Sequence, residues 1–171
     1  MHLIGKFGLW AGTLGLAAYL LTAMISARIP GVDVRFGGLT RLWKIHHILG
    51  AASFLLLMAH PLLLAFAASS PQAASAVLFP GWGDLKVLTG WASLLCMVGF
   101  LAPTFAFFGP VKYQRWKALH ALSGLALLLG VAHAFPLSLT VPGPVWAVGG
   151  ALAMAAFAYR MLFARFLGRR R

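Results

Sequence analysis

The chain has 171 residues, of which 61% are hydrophobic and only 9% charged, with a mean hydropathy of +0.90. A soluble domain carries about a quarter charged residues, so the bilayer is the solvent for most of this fold. The net charge of +12 would suggest nucleic acid as the partner of a soluble protein. Here the cations sit in short loops between apolar runs, where Lys and Arg set membrane topology, so lipid is the expected partner and nucleic acid is not.

Five segments are long enough to cross a hydrocarbon core, which takes about 20 helical residues. They run approximately Phe7–Ile25, Trp43–Phe66, Leu85–Phe108, Trp116–Phe135 and Val145–Phe166. Between them lie Pro30-Gly31, Ser69-Ser70-Pro71, Pro80-Gly81 and Pro142-Gly143-Pro144, which are turn signals. Pro61 and Pro103 fall inside spans, where neighbouring helices can tolerate them. The expected fold is an all-α integral membrane bundle of about five transmembrane helices, a single domain over residues 1–171. The first span follows Lys6 and is longer than a usual signal-peptide core, so it is expected to stay as an anchor.

Sidedness follows from the charges. All of the fourteen Lys and Arg residues except Lys6 and Lys86 fall in the first loop, the third loop and the carboxyl-terminal tail or in the span ends that adjoin them. The positive-inside rule then places the amino terminus outside and the carboxyl terminus in the cytoplasm, for a multi-pass protein of the inner, cytoplasmic membrane. Tryptophans fit the same frame, because these rings favour the headgroup level. Trp43 and Trp116 fall at inner ends, Trp10, Trp82 and Trp146 at outer ends, and Trp91 lies deeper, as a packing residue.

An ionisable side chain inside a span is rare and marks a functional site by default. The second span carries His46 and His60, 14 residues apart, and the fourth carries His120 and His133, 13 apart. Both helices run from inside to outside in this topology. At 1.5 Å per residue the members of each pair are separated by about 20 Å along the helix. His46 and His120 therefore define an inner layer, and His60 and His133 an outer one.

Neutral imidazole is a good ligand for iron, and helix bundles commonly bury cofactors. Two imidazoles in each layer suit the axial positions of a haem, and an iron ligated in this way shuttles electrons rather than binding oxygen. The sequence thus points to two b-type haems, with His46, His60, His120 and His133 as axial ligands. The acids, Asp33 and Asp84, both belong to loops, which argues against a carboxylate-bridged di-iron site and a carboxylate proton relay. Cys96 is the sole cysteine; it excludes an internal disulfide and a Cys-rich metal site and reads as a buried structural thiol.

Helical geometry ranks the neighbours. At 100° per residue a spacing of 14 returns to within about 40° of the same face, whereas 13 leaves the two side chains about 140° apart. Either the fourth span is over- or under-wound near Gly124 or Gly130, or its two histidines approach their haems from different sides. His47 lies on roughly the opposite face from His60, so His46 is the better ligand, and His47 is assigned a propionate contact or an interfacial role. Arg41, Lys44, Arg115 and Lys117 cluster at the inner ends of the histidine helices. They either set topology or pair with inner propionates, for which Arg offers a bidentate fork. Apolar side chains between the layers, such as Phe54, are expected to pack the core and keep the path dry.

These residues carry a resemblance. The stretch TRLWKIHHILGAASFLLLMAHPLLL, with His46, Leu49-Gly50 and His60-Pro61-Leu62, resembles the first haem helix of the ferric reductase-like transmembrane domain. The stretch YQRWKALHALSGLALLLGVAH, ending at His133, is similar to the second. That family includes ferric reductases, NADPH oxidases and the haem subunits of bacterial methionine sulfoxide reductase systems. The resemblance implies bis-histidine haems, an inner one held by His46 and His120 and an outer one by His60 and His133, with electrons moving outward from the cytoplasmic face.

Ferric reductases and oxidases usually continue into a flavin- and NAD(P)H-binding region, and these 171 residues contain no dinucleotide fingerprint. The implied donor is a separate flavoprotein or a membrane quinol, and the implied acceptor a ferric chelate or a periplasmic redox protein. The sulfoxide-reductase subunits are similarly small but tend to lack the inner histidine on the first haem helix, which is present here as His46. Oxidases have a further histidine one turn after the outer ligand, where this chain has Leu64. The favoured reading is a di-haem b electron-transfer protein, the membrane component of an oxidoreductase. The alternatives are a haem subunit of a periplasmic sulfoxide reductase system, a structural subunit of a larger complex, and a transporter for a metal or its chelate.

Overall fold

The computed structural model describes residues 3–27, 32–79, 81, 84–106, 118–137 and 139–167, and the side chains of all of these except 32, 102–106 and 160–167. Seven helices are described: α1 (Leu3–Ser26), α2 (Val32–Arg35), α3 (Leu39–Phe66), α4 (Pro71–Leu78), α5 (Leu85–Ala106), α6 (Leu122–Leu137) and α7 (Gly143–Leu167). One further helical turn at 118–120 leads into α6. Three stretches have the length and hydropathy of membrane spans: Leu3–Ser26, Leu39–Phe66 and Ala118–Leu137. Two further apolar helices, α5 and α7, complete an all-helical membrane bundle, as the apolar runs predict.

The bundle is built from two helix pairs, α1 against α3 and α5 against α6, with α7 against α6 and α1. Glycines let the first pair approach closely. A Cβ on Gly8 would meet the Leu64 side chain at 3.0 Å, and one on Gly15 would meet Leu57 at 2.8 Å. Small residues at such a seam are what brings helices together in lipid, where there is no hydrophobic drive between them. Ser53, fully buried on α3, donates its hydroxyl to the Gly15 carbonyl of α1 at 2.9 Å, and Ser93 of α5 does the same to Ala126 of α6 at 2.6 Å.

The core between the pairs comprises Leu16, Tyr19, Leu20, Met97, Phe100, Ala126, Leu127, Trp146 and Ala153, with Phe54 and Cys96 packed against it. Both are half-buried there, so Phe54 packs the core as expected while Cys96 is less buried than a fully enclosed structural thiol. The opposite faces expose large apolar side chains such as Phe7, Trp10, Leu14 and Leu21 on α1, which suits a helix whose outer surface meets lipid.

Three local features add to the sequence reading. Trp146 is turned inward and only 6% exposed, because α7 begins against the core it closes. Ser69-Ser70-Pro71 does not simply turn; it starts α4. Ser70 caps the helix by accepting from the Ala73 N–H at 3.1 Å, and Pro71 fills a first-turn position where no N–H is needed. The third concerns winding. Ala121 donates its N–H to Ala118 and Gly124 donates to Ala121, both at 3.1 Å and both reaching back three residues. A turn of that kind advances about 20° more per residue than an α-helix, so roughly four residues of it recover roughly 80° of the offset between His120 and His133. Tightening near Gly124 is one of the two places the spacing allows. Trp82 and Trp116 lie outside the described residues.

Candidate functional site: two imidazole pairs

The two histidine helices, α3 and α6, make little direct backbone contact. What spans the gap is imidazole. The His46 and His120 rings have their centres 6.4 Å apart with planes at 60°, and the His60 and His133 rings lie 6.2 Å apart at 74°. The pairing is that of the sequence reading, one histidine from each helix in each layer. Phe100 of α5 meets the His120 ring edge to face, with centres 5.2 Å apart.

Backbone carbonyls orient the rings. His60 Nδ1 lies 2.8 Å from the Gly8 carbonyl, His133 Nδ1 lies 2.6 Å from the Lys86 carbonyl, and His46 Nδ1 lies 3.2 Å from the Thr22 carbonyl. A carbonyl oxygen can only accept, so each Nδ1 carries the proton and donates it. That fixes the tautomer in which Nε2 keeps its lone pair, the state in which imidazole binds a metal. Each of these rings is hydrogen-bonded away from its partner, to α1 or α5, which leaves Nε2 for the gap.

The separations have a chemical meaning. An imidazole nitrogen binds a metal at about 2.0–2.1 Å, and its ring centre lies roughly 1 Å further back, so two rings on opposite sides of one metal have centres roughly 6 Å apart. Among the described residues no three of His, Cys, Asp and Glu come together as a metal cluster. Two imidazoles leave most of a transition metal's coordination to be filled, and a four-nitrogen macrocycle would supply the rest. A cavity of ≈ 420 Å³ opens beside the outer pair, within the range of cofactor sites. Leu16, Leu57, Leu64, Trp91, Leu94 and Met97 are among its mostly apolar lining, and Thr13, Thr140 and Asp84 supply polar edges. The Thr13 and Thr140 hydroxyls are hydrogen-bonded to each other. The residues present fit haem.

His47 is excluded from the gap. Its Nδ1 donates to the Trp43 carbonyl of its own helix at 2.9 Å, its ring packs on Trp43 with centres 4.0 Å apart, and it is exposed. Arg41 and Lys44 are exposed at the start of α3, five and two residues before His46, and Arg41 lies over Gly37, whose φ is +82°. Arg115 and Lys117 lie outside the described residues. The carbonyls of Gly8, Thr22 and Lys86 escaped sequence reasoning because a main-chain oxygen has no residue-type signature.

The chain matches the family described as ferric reductase like transmembrane component over residues 11–131, a stretch containing His46, His60 and His120. The chain belongs to that family. Its domains are generally haem-binding, and membership points to membrane electron transfer. No curated protein and no solved structure matches the chain significantly.

Proposed function

We propose that this protein carries electrons across the inner membrane on two b-type haems, the inner held by His46 and His120 and the outer by His60 and His133. The observation that carries this reading is the pair of ring separations, 6.4 and 6.2 Å, each suited to one metal between two imidazoles. Held by a histidine from each helix, each haem would supply one-electron transfer and would leave no site for oxygen to bind. The chain's own residues supply the rest. Gly8, Thr22 and Lys86 hold Nδ1 protons so that Nε2 stays available. Met97, Phe100, Leu127 and Ala126, all buried between the layers, exclude water from the route.

The positive-inside rule orients the chain with its amino terminus outside and its carboxyl terminus in the cytoplasm. Electrons enter from a cytoplasmic flavoprotein or a membrane quinol and leave to a ferric chelate or a periplasmic redox protein. The test is a reduced-minus-oxidised spectrum of the purified full-length protein, beside His46→Ala and His60→Ala. A b-type signal equivalent to two haems, with each substitution removing one, is the expected result. A folded protein with no haem b signal would overturn the reading.

A further inference from the structure

Both outer histidines are seated in the same way on different helices. On α1, the Gly8 carbonyl holds His60 Nδ1, and four residues on, a Cβ at Gly12 would stand 2.6 Å from that same Nδ1 and 2.8 Å from Cε1. On α5, the Lys86 carbonyl holds His133 Nδ1, and four residues on, a Cβ at Gly90 would stand 2.8 Å from Nδ1 and 2.9 Å from Cε1. Residues i and i+4 lie on one face, one turn apart. Each seat is thus a carbonyl that takes the ring's proton and, one turn later, a missing side chain into which the ring settles.

We propose that Gly12 and Gly90 are matched positioning residues for the outer cofactor, fixing the rotation of the His60 and His133 imidazoles so that both present Nε2 to one metal with their planes near perpendicular. This deepens the proposed function and rests on it. Nothing else explains both glycines together. Gly15 on α1 answers to helix packing, since its Cβ would meet Leu57; Gly12 and Gly90 answer to imidazole. Gly99, also on α5, has nothing within 4 Å of its Cβ position, so a glycine on that helix is not by itself a seat.

A methyl at either seat cannot be absorbed by swinging the ring away. The ring's near atom is the one tethered to a carbonyl at 2.8 or 2.6 Å, and moving it breaks that bond or turns Nε2 off the shared axis. Alanine is otherwise the better residue inside a helix, so a loss on Gly→Ala runs against intrinsic preference.

The experiment uses the full-length protein in detergent and compares Gly12→Ala and Gly90→Ala with Gly99→Ala. Two signals are read: the low-spin electron paramagnetic resonance spectrum, whose largest g-value follows the angle between axial imidazole planes, and the midpoint potential of each haem. Gly12→Ala and Gly90→Ala each shift or abolish the signal of one haem only, while the other haem and the Gly99→Ala protein keep wild-type values. If both variants keep both haem signals and potentials unchanged, the seats are refuted while the haem reading stands. A thermal-unfolding cycle of Gly12→Ala with His60→Ala reads the seat without any cofactor signal. The alanine destabilises when His60 is present and is neutral or stabilising when His60 is alanine; equal cost in both backgrounds would overturn the proposal even for a protein that lacks haem altogether.

Discussion

His60 and His133 lie with their ring centres 6.2 Å apart and their planes at 74°, each hydrogen-bonded outward to a different helix, α1 or α5. Neither ring donates to the other. Two imidazoles approaching this closely, with their protonated nitrogens tied elsewhere, leave two lone pairs in one gap, which is an arrangement a metal stabilises. The pair therefore acts as a unit. If the pair holds the proposed outer haem, replacing His60 or His133 alone by Ala is expected to remove it, and the double replacement to remove no more than either single one. Haem-to-protein ratio by the pyridine haemochrome method checks this, and additive partial losses would contradict it, because groups sharing one ligand are strongly non-additive.

His47 supplies the contrasting case. It neighbours His46 in sequence, with ring centres 5.5 Å apart, but its Nδ1–H donates to the Trp43 carbonyl on its own helix and its ring packs against that indole with the planes tilted at 48°. His47→Ala is expected to keep both haems and both potentials, and to lose only an exposed aromatic contact worth about 0.5–1.5 kcal/mol. Haem content equal to wild type is the supporting result; loss of the inner haem would mean that His47, not His46, is the ligand.

The spans and the histidine pairs were legible because they rest on signals local to one chain segment: an apolar run, and an imidazole where lipid solvent makes one costly. The seats at Gly12 and Gly90 were not, since a glycine becomes a seat only through the helix that packs against it, α3 or α6. The inward turn of Trp146 was not legible for a related reason: its position at a helix end gives no sign that α7 meets α1 and α6 there and buries the ring. The 13-residue spacing looked discordant because a uniform 3.6-residue period was assumed across Ala121, where the backbone bonds reach back three residues instead of four.

That winding makes a sharp forecast. Inserting one alanine after Leu128, within regular α6 and between His120 and His133, rotates one histidine about 100° relative to the other and shifts it by about 1.5 Å. One haem should be lost while the protein still inserts and folds. Deleting a second residue elsewhere between the two histidines restores the register, and with it the second haem. Full haem content after the insertion alone would show that the pairs do not depend on the register of this helix.

The short helix α4 is tied to the bundle by Trp91, whose Nε1–H donates to the Val77 carbonyl at 2.9 Å. Ala76, Val77 and Trp91 all line the outer cavity. Trp91→Phe keeps a ring but removes the donor, costing about 0.5–1.5 kcal/mol and loosening α4 over the cavity. Faster loss of the outer haem to an external scavenger such as apomyoglobin, with inner-haem loss unchanged, is the expected outcome. Unaltered release of both haems would show that α4 does not cover the outer site.

Ser53 tests how the first helix pair is held. It is fully buried, and its hydroxyl bonds the Gly15 carbonyl across the α1–α3 seam. Interhelical hydrogen bonds in membranes average about 0.6 kcal/mol, so Ser53→Ala should lower stability only slightly, since a small side chain still fits the seam. Ser53→Leu inserts volume into a seam so tight that a Cβ on Gly15 would stand 2.8 Å from Leu57, and overpacking of that kind costs typically about 1–3 kcal/mol. Because α1 carries the Gly8 carbonyl and Gly12, pushing it away from α3 also withdraws the support for His60. Ser53→Leu should therefore lose outer-haem signal along with stability, whereas Ser53→Ala should retain it. Thermal unfolding and haem content measured on the same samples separate the two effects. A leucine variant that is destabilised yet fully haem-loaded would show that α1 does not position the outer ligand.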